Sequence, residues 1–278
     1  MGTVAESPEN SEELVPIGVA VETLRRDYPD ISHSSLRFLE REGLVRSSRT
    51  SGGHRLYRQS DIEQIALIKN WQRQGRTLEE IRQLLDARQR LCLPVDISEQ
   101  FLRLALESRL EEAGELILQA DNAGIATETL FFEVLRPALV RLGELWASGQ
   151  ASVHQEKEIS VLARELVIEL TQRHTPTEPT KSLLISACAP GERHEIGIRM
   201  VNGLLRQNGY RVRYLGPDVE TEFLINAIRA NRPSAVLLTS SIEKSFPGCL
   251  DAVDAVRNSW SGAELPLIFV GGEMVERR

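Results

Sequence analysis

The sequence predicts a mixed fold in three parts: an α-rich winged helix-turn-helix, then a four-helix bundle, then an α/β doubly wound parallel sheet. Three observations carry this reading. Short helical patterns and a basic, Gly-containing hairpin pattern crowd into residues 15–90. Four longer helical patterns with short links fill residues 96–174. From 181 to 278, strand-like apolar runs alternate with helical ones, as in a parallel sheet covered by helices.

A chain of 278 residues with 41% apolar side chains has room for two or three packed domains. Residues 1–14 carry four acids and no base and are expected to form a disordered tail. No basic apolar segment opens the chain, and no apolar run reaches membrane-spanning length. The expectation is therefore a cytoplasmic protein with no membrane partner. Cys92, Cys188 and Cys249 lie far apart without a C-x-x-C spacing and read as reduced thiols. The net charge of −7 is unevenly spread: residues 15–90 hold 14 Lys and Arg against 10 acids, whereas residues 91–278 hold 19 against 26. One compact basic segment on an acidic body suits a phosphate-backbone partner.

In the basic segment, Ile17 to Arg26 reads as a short helix broken by Tyr28-Pro29-Asp30. Ser32 or Ser34 is positioned to cap the next helix, His33 to Glu42, which Gly43 ends in a left-handed C-cap. Two short helices joined by a tight turn form a helix-turn-helix, whose second helix enters a major groove. Arg46 to Tyr57 is basic and turn-rich around Gly52-Gly53, a hairpin wing that would set Arg49, His54 and Arg55 on a DNA backbone. Ser60-Asp61 is expected to cap a helix running to Gln74, and Thr77 with Glu80 forms a capping box for another.

From Ser34 to Leu85 this segment resembles the MerR-family winged helix-turn-helix. The resemblance implies double-stranded operator DNA as partner. It implies contacts from Ser35, Arg37 and Phe38 on the recognition helix and from Arg49, His54, Arg55 and Tyr57 on the wing. The plainer alternative makes Phe38 and Tyr57 core residues and the arginines a solvated face.

The bundle patterns run from Ser98 to Ser108, Leu110 to Ala120, Thr127 to Leu145 and Ser152 to Arg173. Phe131, Val134, Leu135, Leu139, Leu142 and Leu145 recur at helical spacing, and Pro137 is expected to kink the third helix. The stretch from Leu135 to Ser160 resembles the helical cap of light-sensing cobalamin repressors of the CarH/LitR type. That type carries a Trp, nine residues, then Glu-His; here Trp146 and nine residues precede Glu156 and Lys157, so Lys stands in place of His. By this resemblance Trp146, Val153, Glu156 and Lys157 cover the upper face of cobalamin and contact its adenosyl group. Ala147 stands where that type has a His able to take the vacated upper cobalt position.

Strand-like runs at 182–187, 211–215, 235–239 and 267–270 alternate with helical patterns at 198–207, 220–230 and 249–259. Three strand ends carry Glu192-x-His194-x-x-Gly197, Ser240-x-Ile242 and Gly271-Gly272. Together they resemble the D-x-H-x-x-G, S-x-L and G-G motifs of cobalamin-binding domains, with Glu192 for Asp and Ile242 for Leu. The resemblance makes His194 the lower axial cobalt ligand and Glu192 its carboxylate partner. Ser240 would bond the benzimidazole end, while Gly197, Gly271 and Gly272 would let backbone approach the nucleotide tail. A complete domain of this type is expected to add another helix and strand beyond Arg278, so the expectation is either a naturally short domain or a trimmed one, with that side of the pocket open.

These readings converge on a regulator rather than an enzyme, one that binds operator DNA under the control of cobalamin, most simply adenosylcobalamin. The CarH/LitR resemblance implies a repressor, a homo-oligomer (dimer or tetramer), and release from DNA when light breaks the cobalt–carbon bond. The rivals are a corrinoid carrier for methyl transfer, and a regulator whose C-terminal domain senses another chromophore or a protein.

Overall fold

A computed structural model describes residues 14–50, 52–90, 93–260 and 265–276. The expected tail at 1–14, apart from Leu14, and Cys92 lie outside the described residues. The chain forms two compact units, Met1–Arg90 and Leu91–Arg278.

The first unit runs β1 (Val15–Pro16), α1 (Ile17–Arg25), α2 (His33–Arg41), β2 (Ser48–Arg49), β3 (Arg55–Tyr57), α3 (Gln59–Arg73) and α4 (Leu78–Arg90). Its helices begin and end where local chemistry dictates. Ser32, not Ser34, caps α2: its hydroxyl accepts from the Ser35 backbone while Ser35 Oγ accepts from the Ser32 backbone. Gly43 takes φ +71°, and Leu44 N–H reaches back to the Leu39 carbonyl, which closes α2 in a Schellman turn. Asp61 caps α3 by accepting from the Arg58 backbone at 2.8 Å; Ser60, expected to share that cap, sits inside the first turn. Thr77 and Glu80 bond reciprocally at the start of α4 as expected. The wing hairpin forms, with Arg49 opposite Arg55, and gains a third strand because Val15 pairs with Tyr57. Leu36, Leu39, Leu44, Ile65, Ile68 and Tyr57 fill the core of this unit.

The second unit opens with α5 (Pro94–Leu106) and α6 (Leu110–Asn122). One continuous helical run follows, made of α7 (Thr127–Thr129), a π-helical turn (Leu130–Leu135) and α8 (Arg136–Ala147), and then α9 (Val153–His174). The break expected at Pro137 takes the form of that π turn. Pro137 has no N–H and its ring crowds the carbonyl four residues back; just upstream the ladder widens, with Arg136 N–H bonding the Phe131 carbonyl. Phe101, Ile117, Phe131, Leu135, Ile159 and Leu170 form the bundle core.

After α9 come β4 (Leu183–Cys188), α10 (Ile196–Gln207), β5 (Arg211–Tyr214), α11 (Thr221–Asn231), β6 (Ala235–Thr239), α12 (Phe246–Ser259), β7 (Leu267–Gly271) and α13 (Glu273–Glu276). The four strands are parallel in the order β5-β4-β6-β7, so the order reverses between β4 and β6. One face of the sheet packs Ile185, Ala187, Val236 and Leu238 with Leu224, Ile228 and Val253 of α11 and α12. On the other side α10 packs against α9. Met200 joins the bundle core, and a Cβ at Gly203 would stand 2.3 Å from Thr171 Oγ1. Cys188 and Cys249 are buried free thiols, and burial pushes both up to about 11. Among the described residues no helix is long and apolar enough to cross a membrane.

Candidate functional sites

In the first unit, Arg37 on α2 and Arg49 and His54 on the wing are exposed, while Phe38 is half-buried under the Arg41 guanidinium at 5.4 Å. Two of the expected contact residues are otherwise employed. Tyr57 is wholly buried, so it is a core residue and cannot reach a DNA backbone; that reading is corrected. Ser35 is the partner of Ser32 in the α2 cap. Arg55 donates through Nε to Glu40 Oε2, Ser47 Oγ donates to Glu40 Oε1 at 2.9 Å, and Arg49 lies 3.8 Å from the same carboxylate. Burial works against the Glu40 anion, but the bonds from Arg55 and Ser47 outweigh it and lower its pKa. Glu40 therefore pins the wing to the recognition helix. Sequence reading missed it, since an acid in a basic motif carries no DNA-binding signal.

In the second unit, three loops meet where β4, β6 and β7 end. Ala189 N–H bonds the Thr239 carbonyl, and Ser240 N–H bonds the Gly271 carbonyl. Glu192 is fully buried at the centre. Its Oε1 accepts from His194 N–H at 2.8 Å and from Nδ1 at 2.6 Å. Its Oε2 accepts from the backbones of Ser241 and Ile242 and from Ser245 Oγ at 3.0 Å. Burial alone would raise the Glu192 pKa, yet the bonds from His194, Ser241 and Ser245 hold it at about 2. The anion fixes the tautomer of His194: the proton sits on Nδ1 and the Nε2 lone pair is left on a side chain that is 66% exposed.

Ser240 is also fully buried, with its hydroxyl 2.8 Å from Ser245 Oγ, so a bond from Ser240 to a benzimidazole would have to replace that one. Ser245 is a site residue that no motif position marked. At Gly272, φ +108° and an Ser240 carbonyl 2.3 Å from a would-be Cβ allow only glycine. At Gly197 and Gly271 a Cβ would meet none of the described residues within 4 Å, so their packing does not demand glycine there. Ile242 is half-buried, its N–H spent on Glu192.

Over in the bundle, Trp146 is 50% and Val153 62% exposed, so neither belongs to the core. Glu156 accepts from Ser160 at 2.9 Å and pairs with Lys157 at 3.1 Å. The His194 pKa is raised, first by its bond to Glu192 against desolvation; further out, Glu156 raises it and Lys157 lowers it. The first turns of α9 therefore stand within electrostatic reach of the His194 imidazole. Ala147 ends α8, and His154 is exposed with Nδ1 3.0 Å from Ser152 Oγ.

The MerR HTH family regulatory protein profile matches residues 29–88, and two B12 binding domain profiles match residues 97–168 and 182–277. The chain thus joins a segment matching the MerR helix-turn-helix to segments matching B12 binding domains. The regulator is 28% identical to the HTH-type transcriptional repressor CarH of Myxococcus xanthus, over 84% of this chain and 81% of that one. It is 27% identical to monomethylamine corrinoid protein 1 of Methanosarcina acetivorans over 51% of this chain and 68% of the relative. The solved monomethylamine corrinoid protein of Methanosarcina barkeri superposes with a TM-score of 0.52 at 22% identity, covering 64% of this chain and 84% of that one, which establishes the shared fold.

The residues present fit a corrinoid. His194 offers one imidazole nitrogen, and among the described residues no group of three or more His, Cys, Asp or Glu is arranged to hold a metal ion. A single protein ligand suits an ion whose other ligands arrive with it. Beside that ligand, Gly197 and Gly271 leave space that the described residues do not fill, and Trp146 presents an aromatic face to solvent. The regulator is thus a cobalamin-dependent transcriptional regulator.

Proposed function

We propose that this regulator represses transcription by binding a two-fold operator as a homo-oligomer loaded with adenosylcobalamin, and that light releases it. The observation that carries the cobalamin half is the buried Glu192 anion aiming the His194 Nε2 lone pair outward from the strand ends. Adenosylcobalamin supplies a light-labile cobalt–carbon bond. The chain's part would be to hold the cobalt through His194, with Glu192 keeping Nδ1 protonated. Trp146 and Val153 would cover the bound cofactor, and Glu156 would offer a carboxylate to ribose hydroxyls. Similarity to CarH supports the repressor reading. In the first unit, Arg37 reads the groove while Arg49, His54 and Arg55, braced by Glu40, touch phosphates.

A dark absorption spectrum of the full chain titrated with adenosylcobalamin tests this reading. The expected result is a base-off, His-on spectrum that His194→Ala abolishes. A wild-type spectrum and affinity in His194→Ala would remove His194 as the ligand. Operator binding that is indifferent to both cobalamin and light would remove the regulatory half.

A further inference from the structure

A cavity of about 430 Å³ opens at the seam between α9 and α10, bordered by Tyr214 of the edge strand β5. Its lining holds none of the cobalamin-motif residues, but its Tyr214 wall reaches the end of β4, where the hydroxyl donates to Glu195 Oε2 at 2.9 Å and lies 3.5 Å from Cys188 Sγ. Thr171, Gln172, Arg199, Asn202, Arg206 and Tyr214 line it.

Two independent features mark it as built for a polar occupant. Asn202 is 1% exposed, and among the described residues neither its Oδ1 nor its Nδ2 has a hydrogen-bond partner. A buried amide left unpaired on both atoms is costly, and native interiors rarely keep one without a reason. Positive charge also accumulates here. Arg206 Nη2 donates to the Val212 carbonyl at 3.0 Å, and the charge that acts on it is a second cation, Arg199. Arg199 lies over the Tyr214 ring at 4.8 Å and shares Glu195 with Arg164, each Nε 3.0 Å from that carboxylate. Two guanidinium groups, Arg164 and Arg199, therefore share one acid, and Arg199 and Arg206 both line the cavity.

We propose that this seam cavity is a second ligand site, which takes a small metabolite bearing an oxyanion and an adjacent hydrogen-bonding group. The guanidinium groups of Arg206 and Arg199 hold the oxyanion, a geometry that suits carboxylate and phosphate alike. Asn202 serves the neighbouring group with one donor and one acceptor. Because α9 supplies one wall and α10 with β5 the other, the occupant ties the bundle to the sheet and stabilises the unit by mass action.

The test is thermal unfolding of the full chain at constant ionic strength, with chloride replaced by inorganic phosphate in one series and by malonate in another. The expected result is a saturable rise in Tm with at least one oxyanion, and the stronger series names the head group. The rise should vanish in Arg206→Gln and persist in Arg37→Ala, which strips a cation from the DNA-binding unit. Asn202→Leu, whose side chain needs no partner, should raise the Tm without oxyanion and weaken the response to it. It decides the matter alone if Arg206→Gln does not fold. No saturable rise, a rise that survives in Arg206→Gln, or a lower Tm in Asn202→Leu without oxyanion would overturn the proposal.

Discussion

Glu192→Gln is the most informative single change in this chain, because the two side chains have the same shape and differ only in what they accept. The carboxylate takes five donors: His194 N and Nδ1 on one oxygen, and Ser241 N, Ile242 N and Ser245 Oγ on the other. A glutamine has one oxygen, so its amide nitrogen must face either the pair or the trio. The smaller loss puts nitrogen against His194 and strands two donors, at about 1–3 kcal/mol each, or roughly 2–6 kcal/mol in all. The imidazole can recover part of this by moving its proton to Nε2, so that Nδ1 accepts from the new amide. That tautomer has no lone pair left for cobalt. Both routes weaken cobalamin, and a change behind a metal ligand typically costs on the order of 10–100-fold in affinity, which is about 1.4–2.7 kcal/mol. Urea unfolding of the cobalamin-free chain, followed by titration with adenosylcobalamin in the dark, reads both effects. The reasoning is refuted if Glu192→Gln leaves the urea midpoint and the cobalamin affinity at wild-type values.

Arg49→Ala, which removes a phosphate contact, should weaken operator binding and reduce the slope of log K against log salt by about 1, whereas Tyr57→Phe, altering a buried residue, should leave operator affinity unchanged; gel-shift titrations over a salt series compare them. His174 is raised in pKa from 6.5, chiefly by its 2.6 Å bond to Asp121 against desolvation. Its contribution to stability is complete below 6.5 and fades as pH climbs through the raised value, so denaturation midpoints across that window should slope downward, and His174→Gln should flatten the slope. After illumination, Ala147 offers no ligand atom, and the vacated upper cobalt position should take water or, failing that, His154. A stable bis-nitrogen spectrum that survives His154→Ala would point instead to Lys157, whose amine must first lose its proton.

Periodicity made most of the fold legible. Three of the four strands of the sheet are apolar runs bounded by polar turns, the fourth, Arg211–Tyr214, alternates, and each appears within a residue or two of its expected place. Strand β1 was invisible, because two residues carry no alternation and its pairing with Tyr57 is long-range. The π turn was invisible too: Pro137 announced a disturbance, while its form depends on how Leu130, Phe131, Val134 and Leu135 all stay in the core. At the strand ends, His194 and Glu192 could be read because they share one short motif. Ser245 and the Gly203–Thr171 contact could not, since folding alone brings their partners near. Tyr57 misled through its company: a buried aromatic between exposed basic residues looks, in sequence, like one of them.

Helix α9 is 22 residues long, a straight path of about 33 Å at 1.5 Å per residue. One end carries Val153 and Glu156, proposed to meet the cofactor, and the other carries Thr171 and Gln172, which line the seam cavity. A rod of that length works as a lever arm: a tilt of about 5° pivoting near one end sweeps the other through about 3 Å, the width of a hydrogen bond. A small rearrangement at one end of α9 can therefore open or close contacts at the other, with no chain of intermediates needed to carry the message.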